Sequence, residues 1–297
     1  VVAQTSGAQE IFPSKTLRIV VPIGPGGSAD LGARVVARKL SDELGQPVIV
    51  ENKPGGNHVV GTSAVANAPA DGYTLLWTTG GLLAVVNKTV PFDAFRDFQP
   101  ITLGGRTNAA VIVNNNVPVK DFASFLDYAK KNPGKLNYGS TGGSVTLLFE
   151  YFMQTTGINM TAVLYKSQPA IWNDVLSGQI QVMIERPSAA KAQVGNRAKI
   201  VAVMGEPRDA DTPDIPTVSE HGFKGFSMYT WQGMFIRSGT PPDRLGKIKE
   251  AMGRVMASPE VRAELVKIGV EPIGSTAEEL AELSRKESAL WKAVALK

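Results

Sequence analysis

Short apolar runs alternate along the chain with stretches of helical periodicity. Leu17–Pro22 is a β-branched run with the length of a buried strand. After it, Leu31, Val35, Leu40 and Leu44 mark one face of a helix that starts at Ser28 or Asp30, either of which can cap it. Gly45 with Pro47 just beyond stops that helix. Pro47–Glu51 predicts a strand, Val59–Ala68 a small-residue helix, and Tyr73–Trp77 a further strand. This β-α-β-α-β rhythm predicts a parallel sheet covered by helices on both faces.

From about Thr102 the rhythm restarts. Ala110–Val113, Leu136–Tyr138, Thr161–Leu164, Ile180–Ile184 and Lys199–Met204 read as strands. Asp121 caps a helix whose stripe is Phe122, Phe125, Leu126 and Ala129. Val145, Leu148, Phe149, Phe152 and Met153 form a second stripe, ended by Gly157, and Pro169 and Pro187 open two more helices. Pro207–Gly225 reads as an irregular surface crossover and Phe226–Ile236 as extended chain. Arg244–Met256, Pro259–Ile268 and Thr276–Ala295 are helical, and they need a sheet to cover. The chain is therefore expected to return to its first half. Domain one takes residues 12–104 plus 227–297, and domain two, 105–226, is inserted, with hinges near Gly104–Thr107 and Gly225–Tyr229. Residues 1–11 are read as a leader remnant or loose arm, its polar, aperiodic character reaching Ser14.

Two glycine-rich turns stand between a strand and a helix. One is Gly24-Pro25-Gly26-Gly27-Ser28 and the other Gly139-Ser140-Thr141-Gly142-Gly143-Ser144. A helix start exposes N–H donors and the positive end of the dipole, and glycine lets a ligand approach them. Such a pair, over a hundred residues apart, can hold one small anion between two halves. Hydroxyls at Ser28, Thr78, Thr79, Ser140, Thr141, Ser144 and Thr146 add donors, and about half of them are expected to serve as ordinary caps instead. Three or four charge-assisted bonds of about 1.5–3 kcal/mol each, less the lost freedom of the ligand, support binding near ~−8 kcal/mol.

Composition narrows the options. A chain of 297 residues suits two domains. The net charge of +4 is spread without a basic run, which argues against nucleic acid and fits a small anion. With no cysteine and only His58 and His221, neither a thiolate nucleophile nor a metal cluster is expected. His221 reads as a solvent-exposed or locally satisfied loop residue, whereas His58, beside the third glycine turn Pro54-Gly55-Gly56-Asn57, is a cleft candidate. Gly24-x-Gly26-x-x-Ala29 after a strand, with Glu51 ending the next, matches a dinucleotide fingerprint. Pro25 stiffens that turn, and no His, Lys or Tyr constellation suggests hydride chemistry, so NAD-dependent catalysis stays the lesser alternative. No catalytic residue and no cofactor is assigned.

The strings Pro13-Ser14-Lys15-Thr16-Leu17-Arg18-Ile19-Val20-Val21-Pro22, Pro25-Gly26-Gly27-Ser28-Ala29-Asp30 and Gly45-Gln46-Pro47-Val48-Ile49-Val50-Glu51-Asn52-Lys53-Pro54-Gly55 carry a resemblance. So do Asp71-Gly72-Tyr73-Thr74-Leu75, Asn132-Pro133-Gly134-Lys135-Leu136-Asn137-Tyr138-Gly139-Ser140, Tyr165-Lys166 and Asp214-Ile215-Pro216-Thr217-Val218. From Phe12 onward the chain resembles Bug-type solute-binding proteins of tripartite tricarboxylate transporters. The resemblance implies an α/β, two-domain periplasmic binding protein (type II, flytrap) with its ligand in the cleft. It implies a monomer in the periplasm that delivers a small organic carboxylate to a membrane permease, without catalysis. A variant of that role presents the ligand to a membrane sensor kinase.

The family's binding loops map onto Pro25, Gly26, Gly27, Ser28, Ala29 and Asp30, and onto Thr78, Thr79 and Gly80. In the second half they map onto Ser140, Thr141, Gly142 and Ser144, and onto Tyr165, Ser167, Gln168 and Ala170. Departures from the family pattern bear on ligand choice. The second turn is followed by Val145-Thr146-Leu147-Leu148 and lacks the usual His, and the usual Phe-Asp-Asn strand ending is Ile184-Glu185-Arg186. Arg186 is a candidate partner for a distal carboxylate, against an ion pair with Glu185. Trp172, Phe149 and Trp231 are candidates for an aromatic wall or for core, core being the better reading for Phe149. Together they favour an aromatic mono- or dicarboxylate such as terephthalate over an aliphatic di- or tricarboxylate or an amino acid.

Overall fold

The computed structural model describes residues 11–56, 58–82 and 90–295. The expected leader remnant, apart from Ile11, and Asn57 of the third glycine turn lie outside the described residues. In chain order the elements are β1 Leu17–Val21, α1 Ser28–Leu44, β2 Val48–Asn52, α2 Val59–Ala66, β3 Thr74–Thr79, β4 Phe98–Asn108 and β5 Ala110–Asn114. Then follow α3 Phe122–Lys131, β6 Asn137–Ser140, α4 Ser144–Thr156, β7 Thr161–Leu164, α5 Gln168–Ser177, β8 Val182–Glu185, α6 Pro187–Gln193 and β9 Ala198–Val203. The chain closes with β10 Tyr229–Arg237, α7 Pro242–Ala257, α8 Pro259–Lys267, β11 Glu271–Pro272 and α9 Ala277–Ala295.

Two sheets form. The first has six strands in the order β11-β4-β10-β3-β1-β2, and the second has five in the order β7-β6-β8-β5-β9. β1, β2 and β3 run parallel as expected, but β10 and β4 join antiparallel, so the sheet is mixed. Alternation along β1 sends Leu17, Ile19 and Val21 into the core under α1 and α7, and Val20 into the opposite core with Val65, Leu280 and Trp291. β5 splits likewise. Val111 and Val113 meet Phe122, Phe149 and Phe152, while Ala110 and Ile112 meet Ile171 and Trp172. The arm is shorter than expected, because Phe12 is buried edge-to-face on Tyr73, 5.0 Å between centroids, and the Ser14 N–H donates to the Tyr73 hydroxyl.

The strand β4 was not expected. It pairs with β10 from Phe98↔Arg237 to Asn108↔Tyr229, through two irregularities of register. A Cβ on Gly104 would lie 2.2 Å from the buried Trp77 ring, so only glycine fits where β4 crosses that indole. The expected hinge Gly104–Thr107 lies inside β4, and Gly225–Tyr229 runs up to the first residue of β10. Between the sheets the crossing segments run side by side, with the Met204 N–H donating to the Ala109 carbonyl and the Met228 N–H to the Met204 carbonyl. Among the described residues no helix is long and apolar enough to cross a membrane.

Candidate functional site

Parallel pairing gathers the candidate loops. β1, β2 and β3 are in register, so the turns after Val21, Asn52 and Thr79 meet at one end of the first sheet. β6 runs parallel to β7 and β8, so the segments after Ser140, Leu164 and Glu185 meet at one end of the second. Ligands of open α/β sheets bind beyond the carboxyl ends of their strands.

In the first turn Gly27, not Ser28 or Asp30, is the N-cap of α1, and it makes no side-chain cap. Asp30, buried at 2% exposure, reaches backward instead. Its carboxylate accepts from the Gly26 N–H at 2.9 Å, from Arg34 Nε at 3.1 and 3.2 Å, and from Asn52 Nδ2 at 2.9 Å. Burial would raise its pKa, but these bonds outweigh burial and hold the carboxyl below its usual range. Asp30 thus shapes the turn and uses up the Gly26 donor. The first helical bond is Leu31 N–H to Gly27 C=O, which leaves the N–H groups of Ser28 and Ala29 facing outward from the helix start.

In the second turn Ser140 is the last residue of β6 and fully buried. Its hydroxyl shares a 2.9 Å hydrogen bond with Thr146 Oγ1 and accepts from the Gly142 N–H at 3.0 Å. These bonds hold Gly142 and Gly143 at φ 89° and 59°, where glycine is favoured, and Gly143 caps α4. Ser140 and Thr146 therefore organise the turn. Thr141 is exposed and Ser144 half-buried.

The two halves meet at a seam lined by Gly80 from the end of β3, Ser144 and Leu148 of α4, Met228–Trp231, and Glu287 and Trp291 of α9. It leaves about 10 Å³, roughly the space of one water. Glu287 was missed by sequence reasoning. Its carboxylate accepts the indole N–H of Trp231, and that of Trp291 at 2.8 Å. A Cβ on Gly80 would meet Glu287 Oε1 at 2.5 Å, so the carboxylate lies directly on that glycine. The residue keeps some surface, but its carboxylate is enclosed, and burial pushes it up to about 7 against the pull of the two indoles. A signal existed: Leu280, Ser284, Glu287 and Trp291 fall on one helical stripe, so a charge stands at a core position.

The remaining candidates are partly brought together. Thr78 is buried at the end of β3 beside Thr79 and Gly80. Tyr165 follows β7, and its hydroxyl donates to Asp174 at 2.6 Å; burial and that carboxylate push it up to about 12. Ser167 caps α5 without a side-chain bond, Ala170 is half-buried on that helix, and Gln168 Nε2 donates to the Ile184 carbonyl at 3.0 Å. Of the two readings left open for Trp172, core is the one its burial favours: it is 4% exposed, with its indole toward Glu185 at 3.3 Å. Phe149 is core, stacked on Tyr138 at 4.1 Å. Arg186 takes the alternative of an ion pair, 3.7 Å from Glu185, and its guanidinium also donates to the Ile268 carbonyl at the end of α8. His58 takes a left-handed backbone, φ 73°, with Nδ1 buried and unpartnered, and burial lowers it to about 4. His221, expected to be solvent-exposed or satisfied in its loop, packs on the Phe122 ring at 5.0 Å with Nε2 buried and unbonded. Glu51 of the dinucleotide reading pairs with Lys53 at 2.7 Å. A larger cavity, about 830 Å³, opens elsewhere between α1, β2 and α8, among Arg34, Arg38, Asp42 and Glu264.

Comparisons with known proteins bear on the fold and the family. A solved periplasmic transporter is 36% identical with a TM-score of 0.85, over 96% of this chain and 98% of that one. The periplasmic binding protein BugD is 28% identical with a TM-score of 0.83, over 95% and 97%. An R. palustris protein solved with adipate is 29% identical with a TM-score of 0.85, over 96% and 97%. The fold is thus the two-domain α/β architecture of periplasmic binding proteins. The model of the tripartite tricarboxylate transporter family receptors matches residues 32–297, and the chain belongs to that family of Bug-type solute-binding proteins.

Proposed function

We propose that this protein captures a small organic carboxylate in the periplasm and delivers it to the membrane permease of a tripartite tricarboxylate-type transporter. The observation that carries the reading is that two glycine-opened helix starts, α1 and α4, each stand at the carboxyl end of a strand, β1 in one sheet and β6 in the other. Backbone N–H groups there favour a carboxylate by charge and by geometry. The lobes 12–104 plus 227–297 and 105–226 close over it, and the protein works as a monomer. Ser28, Ala29, Gly80, Thr141 and Ser144 are the contacts we favour.

An aromatic ligand such as terephthalate loses the support of Trp172, which is core. The adipate in the R. palustris relative supports an aliphatic dicarboxylate instead. The test is a tryptophan emission titration, since Trp231 and Trp291 stand at the seam. Adipate, malate, terephthalate, aspartate and NADH form the panel. A saturable one-to-one response to a carboxylate is expected. Response to NADH alone would return the dinucleotide reading. Capture of a permease subunit rather than a sensor kinase, in the presence of that carboxylate, separates transport from signalling.

A further inference from the structure

Glu287 stands at the seam with Gly80, which follows β3, and Ser144, which opens α4, and carboxylate binding alone gives it no task. Its partners, the indoles of Trp231 and Trp291, are uncharged donors. Groups around it are engaged elsewhere. On β10, Tyr229 gives its hydroxyl to the Glu206 carbonyl, and Arg237 donates to the Ala68 carbonyl. On β4, Arg106 lies over the Tyr229 ring at 4.1 Å and is tied to Glu271 at 2.7 Å. On α4 the ionisable residues are Glu150 and Tyr151, both half-buried. β3 and the Gly80–Leu82 turn carry no ionisable residue. On α9 itself, Lys286 pairs with Glu282 at 2.6 Å, and Arg285 and Lys292 are exposed. Among the described residues no cation pairs with the Glu287 carboxylate.

We propose that Glu287 couples ligand capture to proton uptake: a carboxylate drawn to the seam between Gly80 and Ser144 meets Glu287 as a like charge, and the closed complex forms with one proton from solvent on a Glu287 oxygen. This rests on the carboxylate reading above. Two carboxylates sharing an enclosed site cannot both stay ionised, and the proton settles between them. In the free protein burial already brings this group to about 7, so the proton is easily supplied at neutral pH. The sign follows from linkage. Below about 7 Glu287 is protonated beforehand and affinity is level. Above that value each complex must take up a proton, and affinity falls by up to about tenfold per pH unit. The protonated acid also offers the ligand a hydrogen-bond donor.

Two measurements test it. Tryptophan emission of the ligand-free protein, followed from acid to alkaline pH, is expected to show a step near 7 that Glu287→Gln abolishes. Calorimetry at pH 8 with adipate, malate and terephthalate, in buffers of differing ionisation heat, is expected to show uptake approaching one proton per complex in the parent and none in Glu287→Gln. A merely structural role for Glu287 would change affinity in the variant but not the proton count. Binding without proton uptake, or equal uptake in the variant, sinks the coupling alone. A missing emission step sinks it whatever the panel does. A silent panel with the step intact sinks the carboxylate reading and the coupling with it, leaving Glu287 a titrating residue.

Discussion

His58 combines a left-handed backbone with an imidazole whose Nδ1 is buried and unbonded. Burial lowers it from 6.5 to about 4, so the folded protein holds it neutral where the unfolded chain binds a proton. Stability is therefore lost as pH falls from about 6.5 toward 4. His58→Asn keeps a residue that tolerates φ near 73° and removes the titration. Thermal unfolding between pH 7 and pH 5 is expected to show a smaller drop in Tm for the variant than for the parent; an equal drop would place the acid sensitivity elsewhere. At this scale the sequence was a partial guide. It marked His58, Gly80, Ser140 and Ser144 by residue type and position in a turn. It could not tell that Trp172 packs inward, that Arg186 spends its guanidinium on the Ile268 carbonyl, or that Asp30 turns back onto Gly26, because those partners are distant or sterically selected.

Elements were more legible where their signals are local. The α3 start is a capping box: Asp121 accepts from the Ser124 N–H at 2.9 Å, and the Ser124 hydroxyl returns to the Asp121 N–H. Asp121→Ala is expected to cost about 1 kcal/mol of stability without changing ligand affinity. Denaturant unfolding with an unchanged slope measures it, and a loss of affinity would tie this cap to the cleft. The stripes of α1, α3 and α4 and the glycine stops at Gly45, Gly157 and Gly178 follow the same local logic. β4 escaped because Pro100, Gly104 and Gly105 break its alternation, and it is a strand only because β10 supplies a ladder and Trp77 demands a glycine. β11, two residues long, exists only through its pairing with β4.

Across the whole molecule, hydrogen bonds run between residues of the two sheets' halves. Arg186 of the second half donates to the Ile268 carbonyl of the first, and Gln154 Nε2 of α4 donates to the Val294 carbonyl of α9 at 3.0 Å. Arg186→Ala removes one clasp and is expected to favour the open form. Small-angle scattering of the ligand-free variant should show a larger radius of gyration, with adipate affinity lowered several-fold; an unchanged radius would make Arg186 a local contact only. Apart from β4 and β11, the strands and helices and the two glycine turns were legible in the chain, because each is written within a few neighbouring residues as periodicity, caps and breakers, and the return of the C-terminal helices followed from their need of a sheet to cover. The seam was not. Gly80, Ser144, Trp231 and Glu287 are far apart in sequence, and parallel register, the β4–β10 ladder and the course of α9 bring them together. A carboxylate on the buried stripe of a helix becomes an enclosed acid only when two indoles and a glycine close around it, which is a property of packing through space and not of any local run of residues.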